Sequence, residues 1–549
     1  MRNVMATVDI ETNLAHDTIW MAGVYLPHIG KSIACFNADD LAVALAGVDT
    51  IIGHNIIAFD LEVLRNVWGF GWNRKRVDTL VLGRLLNPSI DGGHSLKAWA
   101  QRAGKAQKLG FDVADFDAGL TDEMVTYCLA DCEANWDVYE YIMQQLQELR
   151  FSDESIALEH EVAAITAQQV RNGFAFDWPK ACALYDQHLQ QMQEIEHELQ
   201  QVFPPLVTER YSDKTGKRLK DTVEVFNVGS RQQVARRLGD KGAVWTRQTP
   251  TGKPVVDEQS LKDNEHIPEA VLVLEYLTLQ KRVGMLRSWT DAYQDDGRIH
   301  GRVNPCGAVT GRMTHSSPNM AQIPSGAAYR ECFTVPPDHK LVGVDASGLE
   351  LRMLAHYMDD PEYTDLILHG DIHTHNQQLA GLATRPQAKT FIYAFLYGAG
   401  DEKIGNIMGK GRTAGAKAKR KFLQGLPALD NLIQKVQRIA AKGTIQGLDG
   451  RRVHVRSEHA ALNTLLQSAG AIVMKQALVL AVEKLDGYGY PYRVVAQVHD
   501  EIQLEVPEQY ASRVGSCVRN AIRDAGRHFS LRCPLDGEFK VGNNWSETH

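Results

Sequence analysis

Residues 341–357, LVGVDASGLELRMLAHY, hold the strongest constraint on the fold. Leu341, Val342 and Val344 read as a buried strand, Asp345 arrives at its end, and Ser347-Gly348 turns the chain into a helix-compatible run. A carboxylate placed there faces whatever fills the cleft beyond the strand. An Asp at a strand–helix junction is also an ordinary helix cap, so the reading depends on two distant stretches.

The first is TRPQAKTFIYAFLYGAG, residues 384–400. Pro386 suits a first helical turn, and Gly398 and Gly400 suit the end. Arg385, Lys389, Tyr393 and Tyr397 recur every four residues and share one face, opposite Phe391, Ile392, Phe395 and Leu396. Such a face is either solvated surface or a place for a nucleoside triphosphate, with charge for phosphates and rings for a base. The second is YRVVAQVHDEIQLEVP, residues 492–507, where two apolar runs flank His499-Asp500-Glu501, a hairpin with acids at its turn. Asp345 and Asp500 together could hold two divalent ions about 3.5–4 Å apart, the arrangement that drives phosphoryl transfer.

These three stretches resemble motifs A, B and C of family A DNA polymerases, with DASGLELR and AKTFIYAFLYGAGDEKIG most like replicative enzymes of short-tailed phages. The resemblance implies a right-hand palm, fingers and thumb. It implies that Asp345 and Asp500, with the Ala346 carbonyl, bind two Mg²⁺, Mn²⁺ being an alternative, and that Glu501 and His499 support them. Arg385, Lys389 and His373 would hold the dNTP phosphates, and Glu350 would be the steric gate against a ribose 2′-hydroxyl. Tyr393 stands where relatives carry Phe or Tyr, Tyr implying acceptance of dideoxynucleotides, and Tyr397 would stack near the templating base. Arg312 of TGR, His459, Asn463, Gln467 and Gln497 match primer-template contacts, although a buried structural role suits His459 and Gln497 equally. In DIHTHNQ, residues two apart on a helix do not turn toward one ion, so Asp371, His373 and His375 are not read as a metal site.

Nearer the start, the strand-like VMATVDIET puts Asp9 and Glu11 on one side, where they repel unless a cation intervenes. HNIIAFD supplies Asp60 ahead of a helical pattern, and YCLADCEA sets Tyr127 and Asp131 one turn apart. Together they resemble the motifs of proofreading 3′–5′ exonucleases with a ribonuclease H-like fold. The resemblance implies that Asp9, Glu11, Asp60 and Asp131 hold two Mg²⁺ or Mn²⁺ while Tyr127 orients the attacking water.

The expected organisation is α/β and α+β multidomain: an exonuclease domain over 1–150, then a polymerase domain over 151–549. Within it the thumb covers about 151–298, the palm about 299–357 and 444–549, and the fingers about 358–443. At 549 residues the chain exceeds one core. A net charge of −8 argues against nucleic acid, but Lys403, Lys410, Arg412 and Lys417–Lys421 form one basic run and Lys214, Lys217, Arg218 and Lys220 another. Eight scattered cysteines without a CxxC pair fit a reducing cytoplasm, and no apolar run approaches 18 residues, so no membrane partner is expected. Expected partners are primer-template DNA, dNTPs, a replicative helicase and primase, and single-strand binding protein, with the enzyme a monomer. Family members with a long thumb insertion capture thioredoxin; only about twenty residues separate Pro205 from Phe226 here, so no thioredoxin dependence is expected.

Overall fold

The computed structural model describes residues 3–104, 117 and 119–549. Two compact units emerge. One holds the chain up to Gly173 with Gly301–Ile323 and Val335–His549; the other holds Phe174–His300 and Pro324–Thr334.

The first unit begins with a five-stranded mixed sheet: β1 (Met5–Thr12), β2 (Ile19–Leu26), β3 (Lys31–Cys35), β4 (Thr50–Gly53) and β5 (Lys75–Asp78), in the order β3-β2-β1-β4-β5. β1 is central, antiparallel to β2 and parallel to β4. A centrally placed strand is covered on both faces, which explains why Thr7 and Glu11 on one face are buried as well as Ala6, Val8 and Ile10 on the other. Helix α1 (Asp60–Trp68) starts at Asp60, α2 (Asp122–Glu148) is capped by Thr121, and α3 (Asp153–Asn172) by Ser152. Ala163 of α3 joins the core of this sheet, while Leu158 and Val162 pack with Ile472 and Val479 far along the chain.

The second unit is organised by two long helices, α4 (Trp178–Val202) and α5 (Pro268–Ala292), each with proline in its first turn. Ile195 and Leu199 of α4 share a core with Val273 of α5 and with Phe203 and Phe226. Strands β6 (Leu206–Tyr211) and β7 (Arg218–Glu224) form a solvent-exposed hairpin across SDKTGK, and Thr249–Lys253 closes a second turn, both as the Gly-containing polar stretches predict.

The remainder of the first unit is built on a four-stranded antiparallel sheet of β8 (His339–Ala346), β9 (Arg493–Val498), β10 (Glu501–Pro507) and β11 (Gly537–Gly542), in the order β9-β10-β8-β11. Gly343 of β8 allows this packing: a Cβ there would lie 2.5 Å from both the Thr548 carbonyl oxygen and Gln503 Nε2. Helices α6 (Leu349–Met358), α7 (Ile372–Ala380) and α8 (Arg385–Leu396) follow β8, and α9 (Ala461–Tyr488) and α10 (Ala511–His528) flank β9 and β10 in sequence. The apolar window around α9 is long enough to cross a membrane by composition, yet 78 % of it is buried inside the protein, as a core helix would be.

Candidate active site

β8 and β10 pair with Asp345 opposite Glu501, and the Ala346 N–H donates to the Asp500 carbonyl at 3.0 Å, so the sheet itself holds Asp345 and Asp500 beside each other. Residues 499 and 500 make the tight turn between β9 and β10, with His499 at φ 57°, a left-handed conformation that costs a non-glycine residue about 1 kcal/mol or more. Partial desolvation in the cleft, then the Asp500 and Glu501 carboxylates, push Asp345 up to about 7. Burial and the nearby Glu350 likewise raise Asp500. Carboxyls whose ionisation is opposed by crowding and desolvation suit divalent cations, which would relieve both effects.

A cavity of about 230 Å³ opens at Asp500, lined also by Arg312, Glu350, Tyr397, His499, Gly470 and Ala471. Tyr397 Oη donates to Glu350 Oε1 at 2.5 Å, and Arg312 Nη2 lies 3.5 Å from the same oxygen. Burial and the Glu350 carboxylate raise the Tyr397 phenol to about 12, so it remains a donor. Small residues at 470 and 471 let the long helix α9 approach the site without filling it.

Helix α8 is capped by Thr384, which accepts from the Gln387 N–H, and it carries Lys389 and Tyr393 as the four-residue spacing predicts. Arg385 is engaged with Asp371, Nε to Oδ2 at 2.7 Å, and Asp371 also caps α7 by accepting from the His373 and Thr374 N–H groups. Burial, then Arg385 and Lys389, lower the pKa of His373, and its solvent-shielded Nδ1 has no hydrogen-bond partner among the described residues. Burial, then Glu350 and Asp500, raise Tyr393, which places its ring near the acids.

Other sequence candidates divide. Asn463 and Gln467 lie half-exposed on one face of α9, and His459 is exposed just before it. Gln497 is buried, its Nε2 3.5 Å from the Met474 carbonyl and its Oε1 without a hydrogen-bond partner. Glu501 is committed: Trp545 Nε1 and His549 Nδ1 each approach its carboxylate at 2.7 Å, and Gln503 donates to it. Burial opposes its ionisation, but these bonds hold its pKa below the usual range. It therefore positions the turn.

Sequence reasoning missed His315, whose imidazole is bonded to the Gln497 backbone and, by burial and then His499, pushed down to about 4. It also missed the buried quartet in which Glu159 Oε1 receives Arg451 Nη1 at 2.6 Å and Lys475 Nζ at 2.5 Å, while Arg451 grips Asp449. A Cβ on Gly311, beside Arg312, would lie 3.0 Å from Arg451 Nη1. The signal available was DGRR followed by a lone Lys in an apolar helix, a charge that must be paired if buried.

In the first sheet, Asp9 and Glu11 of β1 lie with Cys128 of α2 so that their ligand atoms are all within 4.8 Å of one another. Cys128 was not a sequence candidate; its Sγ–H donates to the Asp9 carbonyl at 3.7 Å. Asp60, the first residue of α1, accepts the Ile10 N–H at 3.2 Å and is pushed up to about 7 by burial, with Asp78 and Glu11 adding. Asp131 is buried on α2, one turn from half-buried Tyr127. Paired acidic oxygens match the donor set a divalent ion takes, and such an ion would relieve the burial and crowding that raise Asp60.

An acid pair borne by a four-stranded antiparallel sheet, opposite a helix presenting Lys and Tyr, defines the class of template-directed nucleotidyl-transfer proteins. The chain belongs to DNA polymerase family A, whose model matches residues 191–547. It is 33% identical to the DNA-directed DNA polymerases of Enterobacteria phage T3 and Escherichia phage T7, each alignment covering 99% of this chain and 100% of the phage enzyme. The DNA polymerase I of Pseudomonas aeruginosa is 27% identical, over 92% of this chain and 55% of that protein. In fold, the chain is similar to the POL domain of Pol1 from M. smegmatis in complex with DNA primer-template and dNTP, with a TM-score of 0.83 and 20% identity, covering 99% of this chain and 95% of that one.

Proposed function

We propose that this chain is a DNA-directed DNA polymerase that extends a primer with dNTPs on a DNA template and trims 3′ ends at a second site, replicating phage-type DNA in a bacterial cytoplasm. The observation that carries the reading is the juxtaposition of Asp345 and Asp500 at the ends of paired strands, with Asp500 lining the same cavity as Arg312, Glu350 and Tyr397.

Asp345 and Asp500 are the residues that would hold two Mg²⁺, and the metal would supply activation of the primer 3′-hydroxyl and neutralisation of the triphosphate. Lys389, Arg385 and His373 bind the phosphates. Arg385 must leave Asp371 or share it, because one guanidinium is already engaged there. His373, whose pKa burial and the cations Arg385 and Lys389 lower, contacts a phosphate oxygen through a ring N–H. Glu350 gates the sugar: with Tyr397 and Arg312 on its oxygen, its carboxylate is fixed where a 2′-hydroxyl would need to go. Arg312 donates to minor-groove acceptors shared by correct pairs.

Asp9, Glu11, Asp60 and Asp131 are the residues that would hold the ions of the 3′–5′ exonuclease, with Tyr127 orienting water, in a domain spanning 1–150; the polymerase domain covers 151–549. The T3 and T7 alignments run over 708 positions against 549 residues here, so those enzymes carry segments without a counterpart in this chain. We read this as synthesis without thioredoxin; the enzyme is proposed to be a monomer that works with a helicase, a primase and single-strand binding protein.

Primer extension with Mg²⁺ tests the proposal, run with and without dNTPs for the parent and for Asp345→Ala. The expected result is lengthening with dNTPs, shortening without them, and loss of lengthening alone in the variant. Shortening in every lane with no lengthening would overturn the polymerase assignment.

A further inference from the structure

Outside both acidic sites, a cleft of about 210 Å³ opens beside α1, its lining including Arg65, Arg76 and Arg171 with Phe70 and Trp72. Two guanidiniums converge there on one carboxylate: Arg65 Nη2 lies 2.7 Å from Glu62 Oε2, and Arg171 Nε 3.4 Å from the same atom. The solvent-shielded Arg171 Nε makes no hydrogen bond despite that proximity. Arg76 has no carboxylate partner among the described residues, so three cations meet a single anion in the lining. Positive charge concentrated in a concave, half-buried site draws an anion.

The aromatic wall narrows the choice of anion. Phe70 and Trp72 are half-buried, and Trp72 gives its Nε1–H to the Lys75 carbonyl at 3.0 Å, so it offers the cleft only an apolar ring. Rings beside guanidiniums accept a base and its phosphate together, a combination that binds nucleic-acid strands without reading sequence. We propose that this cleft binds one nucleotide unit, its phosphate on Arg65, Arg76 and Arg171 and its base against Phe70 or Trp72. The unit comes from a single strand of DNA or from a free nucleoside monophosphate.

Position gives the site a role. The cleft lies on the flank of the helix whose first residue is Asp60, and Ile57 of the preceding loop also lines it. That loop is held by the Asp78 carboxylate, which accepts the N–H groups of Asn55 at 2.9 Å and Ile57 at 3.1 Å. An occupant braces the loop and helix that carry Asp60. The inference concerns binding alone and holds or falls independently of nuclease chemistry at Asp60.

The test uses full-length protein carrying Asp9→Ala and Glu11→Ala, so that DNA persists, with an oligothymidylate containing 5-iodouracil as photo-cross-linking probe and dTMP as competitor. Cross-linked peptides mapping to residues 69–76 are expected. Adding Arg65→Ala and Arg76→Ala should cut that cross-link by roughly tenfold, and Arg65→Lys with Arg76→Lys should restore most of it. Primer extension by the same variants should stay at the parental rate, which shows that the protein is folded. Competition by dTMP identifies a free-nucleotide site, whereas competition only by longer oligonucleotides identifies a strand path. No cross-link at 69–76, or one unchanged in the alanine variant, would overturn the proposal.

Discussion

Asp345 is held where, without a cation, it resists ionisation. Its folded value of about 7 stands above the ordinary 3.8, so the folded protein keeps a proton that the unfolded chain has released. Stability from this group is therefore lost as pH rises from about 4 through 7. In chelator, Asp345→Asn should melt at a higher temperature than the parent at pH 8 and at nearly the same temperature at pH 4. The difference should be of order 1 kcal/mol once solvent screening is allowed for. Thermal melts at the two pH values check this, and equal shifts at both would refute it. Glu350 carries a second prediction at this scale. Glu350→Ala removes the fixed carboxylate that receives Tyr397 and Arg312, and ribonucleotide incorporation should rise by about 10-fold or more, as measured by single-nucleotide insertion of rNTP against dNTP.

Between elements, the telling contact is the buried quartet of Glu159, Arg451, Lys475 and Asp449, which ties α3 to α9 and to the turn carrying Arg451. Glu159 is ionised despite complete burial, because Lys475 and Arg451 offset the desolvation. Removing one member leaves uncompensated charge in the core. Arg451→Ala is expected to destabilise the protein by about 3–5 kcal/mol, seen as a lower denaturant midpoint, and to impair primer extension through the Gly311-Arg312 turn that rests on it. Glu159→Gln with Lys475→Met, which removes charge in a matched pair, should cost less than either change alone. Melting of the double variant below both singles would refute the coupling.

For the whole molecule, the consequence of two separate acid groups is that the two activities can be removed one at a time. Asp9→Ala with Glu11→Ala should abolish shortening of a labelled primer and leave lengthening within about twofold, because neither residue lines the cavity at Asp500. Gel analysis of products with and without dNTPs measures both. Loss of lengthening in that variant would mean that the first sheet is needed to hold the polymerase site. Adding thioredoxin should leave product length unchanged; a large gain would refute independence from it.

Legibility in the sequence followed the range of the forces involved. The strand ending in Asp345, the hairpin turning at Asp500, the helix presenting Lys389 and Tyr393, and the acids of β1 were all readable, since each depends on local periodicity and turn chemistry that neighbouring residues set. What only the tertiary structure decided lies between distant residues: Cys128 beside Asp9 and Glu11, Arg385 engaged by Asp371, Glu501 bound by Trp545 and His549, and Glu159 joined to Arg451 and Lys475. Burial and pairing of charge depend on which elements meet, and one residue's neighbours along the chain do not specify that. The sequence by itself determined which groups could do the chemistry, and packing decided which are free to do it.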